Sequence, residues 1–467
     1  MEKANGTSVF SMNSWREMNV TVFGMGRSGQ AAADVLLDQG SKVTLIEEQA
    51  RPALDELKQA YEQRGARVCI GGSLESALSH AELIVLSPGV AKNHHIAQQA
   101  CQRSIPVIGE IELAAKFLRA PIIAVTGTNG KSTTVRLIGS ILQQSGKHVF
   151  VGGNLGLPLC EAVTRSTDSA QGKAYDYIVA EVSSFQLETI EHFKPWISVL
   201  LNVTPDHLDR HSTQEEYRAA KQRIFENQTD QDWMVINADD PVVGEMASTS
   251  RARLCKFSLD QDVSQGVFLQ RDMIHARFQG SEDLDIDRAN ISVRGQHNVA
   301  NAMAAISVGR LCGCSKAHMV KALQDVQTFE HALESVRTRE GVRFVNDSKG
   351  TNVDATLKAL QSFEEPVVLI LGGKDKGGDF TLLLQAIQSG VKGLVAIGEA
   401  APRILRELGE YVSTSRATSL EDAVSQAVAL ASRGDVILLS PACSSFDMFQ
   451  NYHQRGLEFK RIVGDLS

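Results

Sequence analysis

The chain lacks any apolar run near the ~18 residues that a membrane-spanning helix needs, so no bilayer-crossing segment is expected. It lacks a basic excess. With 47 Lys and Arg against 55 Asp and Glu, its net charge is -8, which argues against nucleic-acid partners that select a basic face. Its opening, MEKANGTSVFSMNSWREMNV, has no basic stretch followed by an apolar core, so no secretory leader is read there. Cysteine is sparse and unpaired in pattern: seven residues, none in Cys-x-x-Cys spacing, with Cys312-Gly-Cys314 offering poor metal geometry. The cysteines are read as buried free thiols in a reducing cytoplasm. Low-complexity tracts and repeats of about 20–50 residues are also missing, which excludes solenoids and fibrous folds.

What is present is ordinary globular composition, 43% apolar and 22% charged over 467 residues. That length suggests about three domains of roughly 100–200 residues. Short apolar runs alternate with helical patterns from end to end, the signature of an α/β protein with parallel sheets. Strands are expected at Val20–Phe23, Lys42–Ile46, Leu83–Leu86, Ile122–Thr126, Tyr177–Val182, Ser198–Asn202, Met234–Asn237, Val367–Leu371, Gly393–Ile397 and Val436–Leu439. The polar, β-like segment Ser258–Val293 reads as an antiparallel appendage. Stretches 107–121 and 328–341 each precede a new strand–turn–helix unit, giving expected domains at 1–109, 110–328 and 329–467.

NVTVFGMGRSGQAAADVLL follows one strand and opens a helix, with Gly24, Gly26 and Gly29 spaced G-x-G-x-x-G. About twenty residues on, Glu47 and Glu48 end a second strand. This is the dinucleotide-binding fingerprint, in which the acid bonds a ribose. An NAD-dependent dehydrogenase is one reading; a bare tight turn is the plain one. Any diphosphate at a helix N-terminus wants the same geometry, and Ser87-Pro88-Gly89 adds a second loop at the same sheet edge.

IAVTGTNGKSTT, residues 122–133, has the strand–loop–helix form of a phosphate loop, but Val125 stands where the usual P-loop has glycine. Lys131 can reach phosphate oxygens and Ser132 can offer a hydroxyl to Mg²⁺. DYIVAEVSSFQLE supplies a hard ligand in Glu181 at a strand end. TPDHLDRH adds His207 at the same edge, with Asp206 and Asp209 beside it. Lys221, one helical turn from Tyr217, is not singled out by the residues themselves.

The motifs GMGRSG, SPGV, TGTNGKST, GGNLGLP, EVSSFQLE, NVTPDHLDRH, YRAAKQRI, NADD, GQHNVANAMAA, NDSKGTN, LILGGKDK and SPACSSFDMF run in this order over nearly the whole chain. In this set the chain resembles the Mur ligase family, whose own phosphate loop is the shortened Gly-x-x-Gly-Lys-Ser. The resemblance implies an N-terminal Rossmann-like domain, a central P-loop-type ATPase domain and a C-terminal Rossmann-like domain. It implies an ATP-dependent amide ligase of cytoplasmic peptidoglycan-precursor synthesis, which joins D-glutamate to UDP-N-acetylmuramoyl-L-alanine through an acyl phosphate.

It further implies that the first domain binds UDP, not NAD. Gly26, Arg27, Ser28, Glu47, Ser87, Pro88, Gly89, Asn154, Ser183 and His207 would then face the UDP-linked substrate. Gly127, Thr128, Asn129, Gly130, Lys131, Ser132, Thr133, Asn298, Asn301 and Asp347 would serve ATP, with Lys349 beside Asp347. Mg²⁺, as two ions, would be held by Ser132, Glu181, His207 and a CO₂-derived carbamate on Lys221. Thr351, Lys376, Ser445 and Phe446 would form the amino-acid pocket. A monomer without membrane or nucleic-acid partners is expected.

The family's His-Arg-x-Glu reads His331-Ala332-Leu333-Glu334 here, and Arg337 or Arg339 is the candidate replacement for the missing cation. A sister Mur ligase, a folylpolyglutamate-type ligase and a catalytically weakened homologue are the competing readings.

Overall fold

The computed structural model describes residues 15–466 apart from 52–53, 72–77, 92, 155, 169–173, 208–209, 281, 293–294 and 326–329. Asp209, the expected boundary at 328/329 and most of the opening stretch fall outside the described residues.

Three sheets follow one another along the chain. The first comprises β1 (Asn19–Phe23), β2 (Lys42–Glu47), β3 (Arg67–Ile70), β4 (Leu83–Leu86) and β5 (Val107–Gly109), all parallel in the order β3-β2-β1-β4-β5. Val20, Val22, Leu83 and Val85 are buried, as expected of central parallel strands covered on both faces.

The second sheet holds β6 (Ile122–Thr126), β7 (Val149–Gly153), β8 (Tyr177–Glu181), β9 (Ile197–Leu200), β10 (Trp233–Asn237), β11 (Arg253–Ser258), β12 (Gly266–Gln270), β13 (Met273–Arg277) and β14 (Leu284–Asp287). Its order is β14-β13-β12-β11-β10-β9-β6-β8-β7. The expected antiparallel segment is real, but β12 pairs in parallel with β11, so it extends the main sheet instead of hanging from it.

The third sheet contains β15 (Glu334–Arg339), β16 (Val342–Asn346), β17 (Val367–Gly372), β18 (Val391–Ile397), β19 (Thr414–Arg416) and β20 (Val436–Leu439), in the order β15-β16-β20-β17-β18-β19. Only β15 runs antiparallel to its neighbour.

Strand order places the chemistry. β9, β6 and β8 are neighbours, so the loops leaving Leu200, Thr126 and Glu181 emerge side by side at the carboxyl edge. That edge is where open α/β sheets bind ligands. The helix Gln296–Leu311 packs against the helix Lys131–Gln144 behind the loop from β6.

The first junction is itself structured. The helix Glu110–Phe117 buries Glu112, whose carboxylate accepts from the backbone N–H groups of Glu191, His192 and Phe193 at 2.7–3.0 Å. All seven cysteines are free; Cys160, Cys255, Cys314 and Cys443 are buried, whereas Cys101 is exposed. Among the described residues no helix is long and apolar enough to cross a membrane.

Candidate active site

Gly130 adopts φ 86° as the residue before the helix Lys131–Gln144, and an added Cβ there would collide with Asn301 Oδ1. This close approach explains why the loop needs glycine at 130 and joins it to the helix Gln296–Leu311. Lys131 Nζ donates to the carbonyls of Gly127 at 2.9 Å and Thr128 at 2.7 Å. Lys221 Nζ donates to the same Gly127 carbonyl at 2.8 Å, and lies 4.6 Å from the centre of the Tyr217 ring. The side chain of Thr128 lies 3.1 Å from Tyr217 Oη and donates to the Thr204 carbonyl.

Of these residues Thr128, Gly130, Lys131 and Asn301 line a cavity of about 360 Å³, while Gly127, Tyr217 and Lys221 are not part of its lining. The loop 128–133, Asn154, Glu181, His207, Asn298 and Asn301 face it from the second unit; Ala332, Asp347, Lys349 and Thr351 face it from the third. Glu181 is buried and accepts from Asn154 Nδ2 at 3.1 Å. Asn301 Nδ2 donates to Asn298 Oδ1.

Burial sets the protonation states. Burial drives the Lys221 amine well below the usual lysine range, and the charge of Lys131 pushes the same way. Burial lowers Lys131 also, against the pull of Glu181 and Asp206. Burial, aided by the nearby lysines, pushes the His207 imidazole down to about 4 despite Asp206 beside it. Burial raises the Asp347 carboxyl to about 7, although Ser440 Oγ and the Leu333 N–H donate to it. Burial lowers Lys349 to about 8, with Glu181 opposing and Lys131 adding to the fall.

The residues of the first glycine loop surround a different cavity, of about 620 Å³. Gly26, Arg27, Ser28, Glu47, Ser87, Pro88, Gly89 and, again, Asn154 line it. Glu47 accepts from the Met25 N–H at 3.1 Å, so part of its acceptor capacity already holds the loop. Ser183 lies outside both cavities; its hydroxyl caps the helix Ser184–Leu187 in a reciprocal pair with Gln186.

Of the proposed amino-acid residues, Thr351 lines the 360 Å³ cavity, Lys376 is paired with Asp206, which lines the same cavity, Ser445 is buried and Phe446 is 67% exposed. The replacement cations are not in its lining. Arg337 is tied to the carbonyls of Val463, Gly464 and Leu466, and Arg339 pairs with Glu340.

Sequence reasoning missed Arg455. It is almost wholly buried, and its guanidinium binds the Ser348 hydroxyl and carbonyl and the Cys443 and Ser444 carbonyls. It thereby joins the loops bearing Asp347 and Ser445. An arginine in the final helix carries no motif that would have flagged it.

Three family models match the chain: "Mur ligase MurD-like, N-terminal domain" at residues 18–109, "Mur ligase middle domain" at 125–309 and "Mur ligase, glutamate ligase domain" at 333–443. The UDP-N-acetylmuramoylalanine–D-glutamate ligase of Koribacter versatilis is 44% identical over 448 residues, spanning 96% of this chain and 97% of that one. The enzyme of the same name from Geotalea daltonii is 42% identical over the same shares. In fold, the chain is similar to a pseudomurein peptide ligase type C from Methanothermus fervidus, with TM-score 0.62 and 16% identity over 96% of this chain and 100% of the other. A MurF ligase from Thermotoga maritima in complex with ADP gives TM-score 0.58 at 18% identity, covering 98% and 97%. Matched in each of its three units and aligned with these relatives almost end to end, the chain belongs to the Mur ligase family.

Proposed function

We propose that this protein ligates D-glutamate to UDP-N-acetylmuramoyl-L-alanine at the expense of ATP, acting as a cytoplasmic monomer in peptidoglycan precursor synthesis. The single observation that carries this reading beyond the family is the double placement of Asn154. It lines both the cavity of the first glycine loop and the phosphate-loop cavity, so a substrate anchored in one can present its reacting end to the other.

The chemistry must bring anions together: a triphosphate, a substrate carboxylate and a dicarboxylic amino acid. Lys131 and Lys349 supply positive charge around the cavity, and backbone N–H groups at the start of the helix Lys131–Gln144 face phosphate oxygens. The carboxylate attacks the terminal phosphorus and ADP leaves. The amine of the incoming amino acid then attacks the acyl carbon, losing a proton, and phosphate departs. The third unit contributes Asp347, Lys349 and Thr351 to the same cavity, and closure of that unit excludes water from the acyl phosphate.

The donor set suits Mg²⁺. Ser132, Glu181 and His207 offer a hydroxyl, a buried carboxylate and an imidazole whose pKa of about 4 leaves its lone pair free. Lys221, lowered by burial toward the neutral amine that takes up CO₂, would add a carbamate oxygen. When bound, the two metal ions supply charge neutralisation and Lewis-acid polarisation of phosphoryl oxygens.

Phosphate release is the test, with UDP-N-acetylmuramoyl-L-alanine and, in parallel, D-glutamate, L-glutamate, L-alanine and meso-diaminopimelate. Release with D-glutamate alone is expected. Release with another amino acid reassigns the protein to a sister step; no release from folded, ADP-binding protein supports a weakened homologue.

A further inference from the structure

The phosphate-loop cavity has a neighbour of about 800 Å³ across the loop, and Asn129, Gly130, His297, Asn301 and Lys358 line both. Val242, Phe257 and Leu259 give the second cavity apolar surface. A nucleotide has a matching plan: an anionic chain, a sugar, then a flat apolar base. With the phosphates against the loop and the base in the second cavity, the ribose and its attached phosphate fall at the shared wall.

Lys358 is the cation of that wall. It belongs to the helix Val353–Leu360 of the third unit, and its Nζ lies 2.7 Å from Asp354 Oδ2. The same Asp354 oxygen accepts from Asn129 Nδ2 at 2.6 Å. The amides of Asn129 and Asn352 exchange two more bonds, at 3.2 and 3.3 Å. The start of this helix is therefore tied to the phosphate loop, and Lys358 is aimed by that tie. His297 beside it is kept neutral, pushed to about 4 by burial and by the charge of Lys358. Ala332, on the wall of the first cavity, brings no charge, and Arg337 and Arg339 are engaged elsewhere.

We propose that Lys358 is a nucleotide-binding residue that contacts the ribose–phosphate junction of ATP, oriented by Asp354 and thus by Asn129 of the phosphate loop. The proposal rests on the ATP reading above. It makes the third unit part of the nucleotide site through a helix that sequence motifs did not mark. Lys358 keeps its bond with Asp354 and donates a second ammonium N–H to the nucleotide, while Asp354 keeps Asn129 in place.

The test compares parent, Lys358→Met and Lys358→Arg as full-length proteins. In Lys358→Met the KM for ATP is expected to rise about tenfold or more, the scale of a lost charge-assisted contact. The KM values for the UDP-linked substrate and the amino acid should move far less. The thermal shift induced by ADP should shrink in Lys358→Met and persist in Lys358→Arg. Adding Ala332→Arg to Lys358→Met should lower the KM for ATP again, because it returns a cation to the same cavity. An unchanged KM for ATP with an undiminished ADP shift overturns the proposal. So does a lower ligand-free melting temperature with the ADP shift retained, which would assign Lys358 a structural role. Absence of any ADP shift in the parent protein would instead strike the ATP reading itself.

Discussion

Lys376 Nζ lies 2.7 Å from Asp206 Oδ1, an ion pair that joins the third unit to the loop leaving β9. Asp206 Oδ2 accepts from Asn352 Nδ2 at 2.9 Å, a second bond from the same unit. Both side chains are largely removed from water, so the pair acts as a latch between units and occupies the lysine assigned to the amino-acid pocket.

Asp206→Asn should open that latch. Breaking one partner of a buried pair costs about 3–5 kcal/mol, because the other charge is left unpaired. The variant should show a larger radius of gyration by small-angle scattering without ligands, and a raised KM for the amino acid. In the parent, burial favours the neutral acid, but Lys376, His207 and Asn352 hold the carboxyl down to about 2. With an unfolded value of ~3.9, the latch is at full strength above about pH 4 and is lost as pH falls through about 2.

Lys221→Met should separate stability from activity. The amine is buried with its pKa well depressed, so the folded state binds fewer protons there than the unfolded chain does. Removing it should raise the melting temperature by ~2–4 °C, for a gain of about 1 kcal/mol, and the gain should grow as pH falls. Ligase activity should drop by more than about a hundredfold, about 2.7 kcal/mol in the barrier. Short carboxylic acids should restore part of it in Lys221→Ala by standing in for the carbamate. Calorimetry and phosphate release check the two halves.

Asp347→Asn should flatten the pH dependence of stability. The folded pKa of about 7 lies above the unfolded ~3.9, so the stabilisation is complete below about 4 and is lost as pH rises through about 7. Urea unfolding at pH 5 and pH 7.5 should differ less in the variant than in the parent. An equal difference in both would remove Asp347 as the source.

Gly130→Ala should disable the phosphate loop without erasing the fold. The positive φ strains an alanine by about 1–3 kcal/mol, and its Cβ would displace Asn301. Melting should fall by a few degrees, and the ADP-induced shift should vanish.

The sequence made the ladder of strands and the carboxyl-edge loops readable, because buried parallel strands appear as apolar runs bounded by glycine. β6, β4 and β20 coincide with their expected spans for that reason. The short edge strands β3, β5 and β19 lack such runs and went unseen, as did β15 and β16 with their exposed charges. Lys131, Glu181 and His207 were placed together by motif, and their shared cavity follows from the β9-β6-β8 order, which no single motif states. Arg455 and Asp354 act through long-range partners, Ser348 and Asn129, and spacing carries no trace of such contacts.

The carboxylate of Glu112 has a mechanical meaning. By gathering three successive backbone N–H groups of the second unit, with Lys116 Nζ 3.1 Å away, it turns the first junction into a rivet. The cavity around the first glycine loop is lined wholly by residues between 23 and 186, so the third unit contributes nothing to it. The cradle proposed for the sugar nucleotide is thus complete without that unit. The phosphate-loop cavity, by contrast, takes Asp347, Lys349 and Thr351 from the third unit. One cavity built without the third unit and one that requires it predict a loading order with the sugar nucleotide first, which small-angle scattering with and without ligands checks.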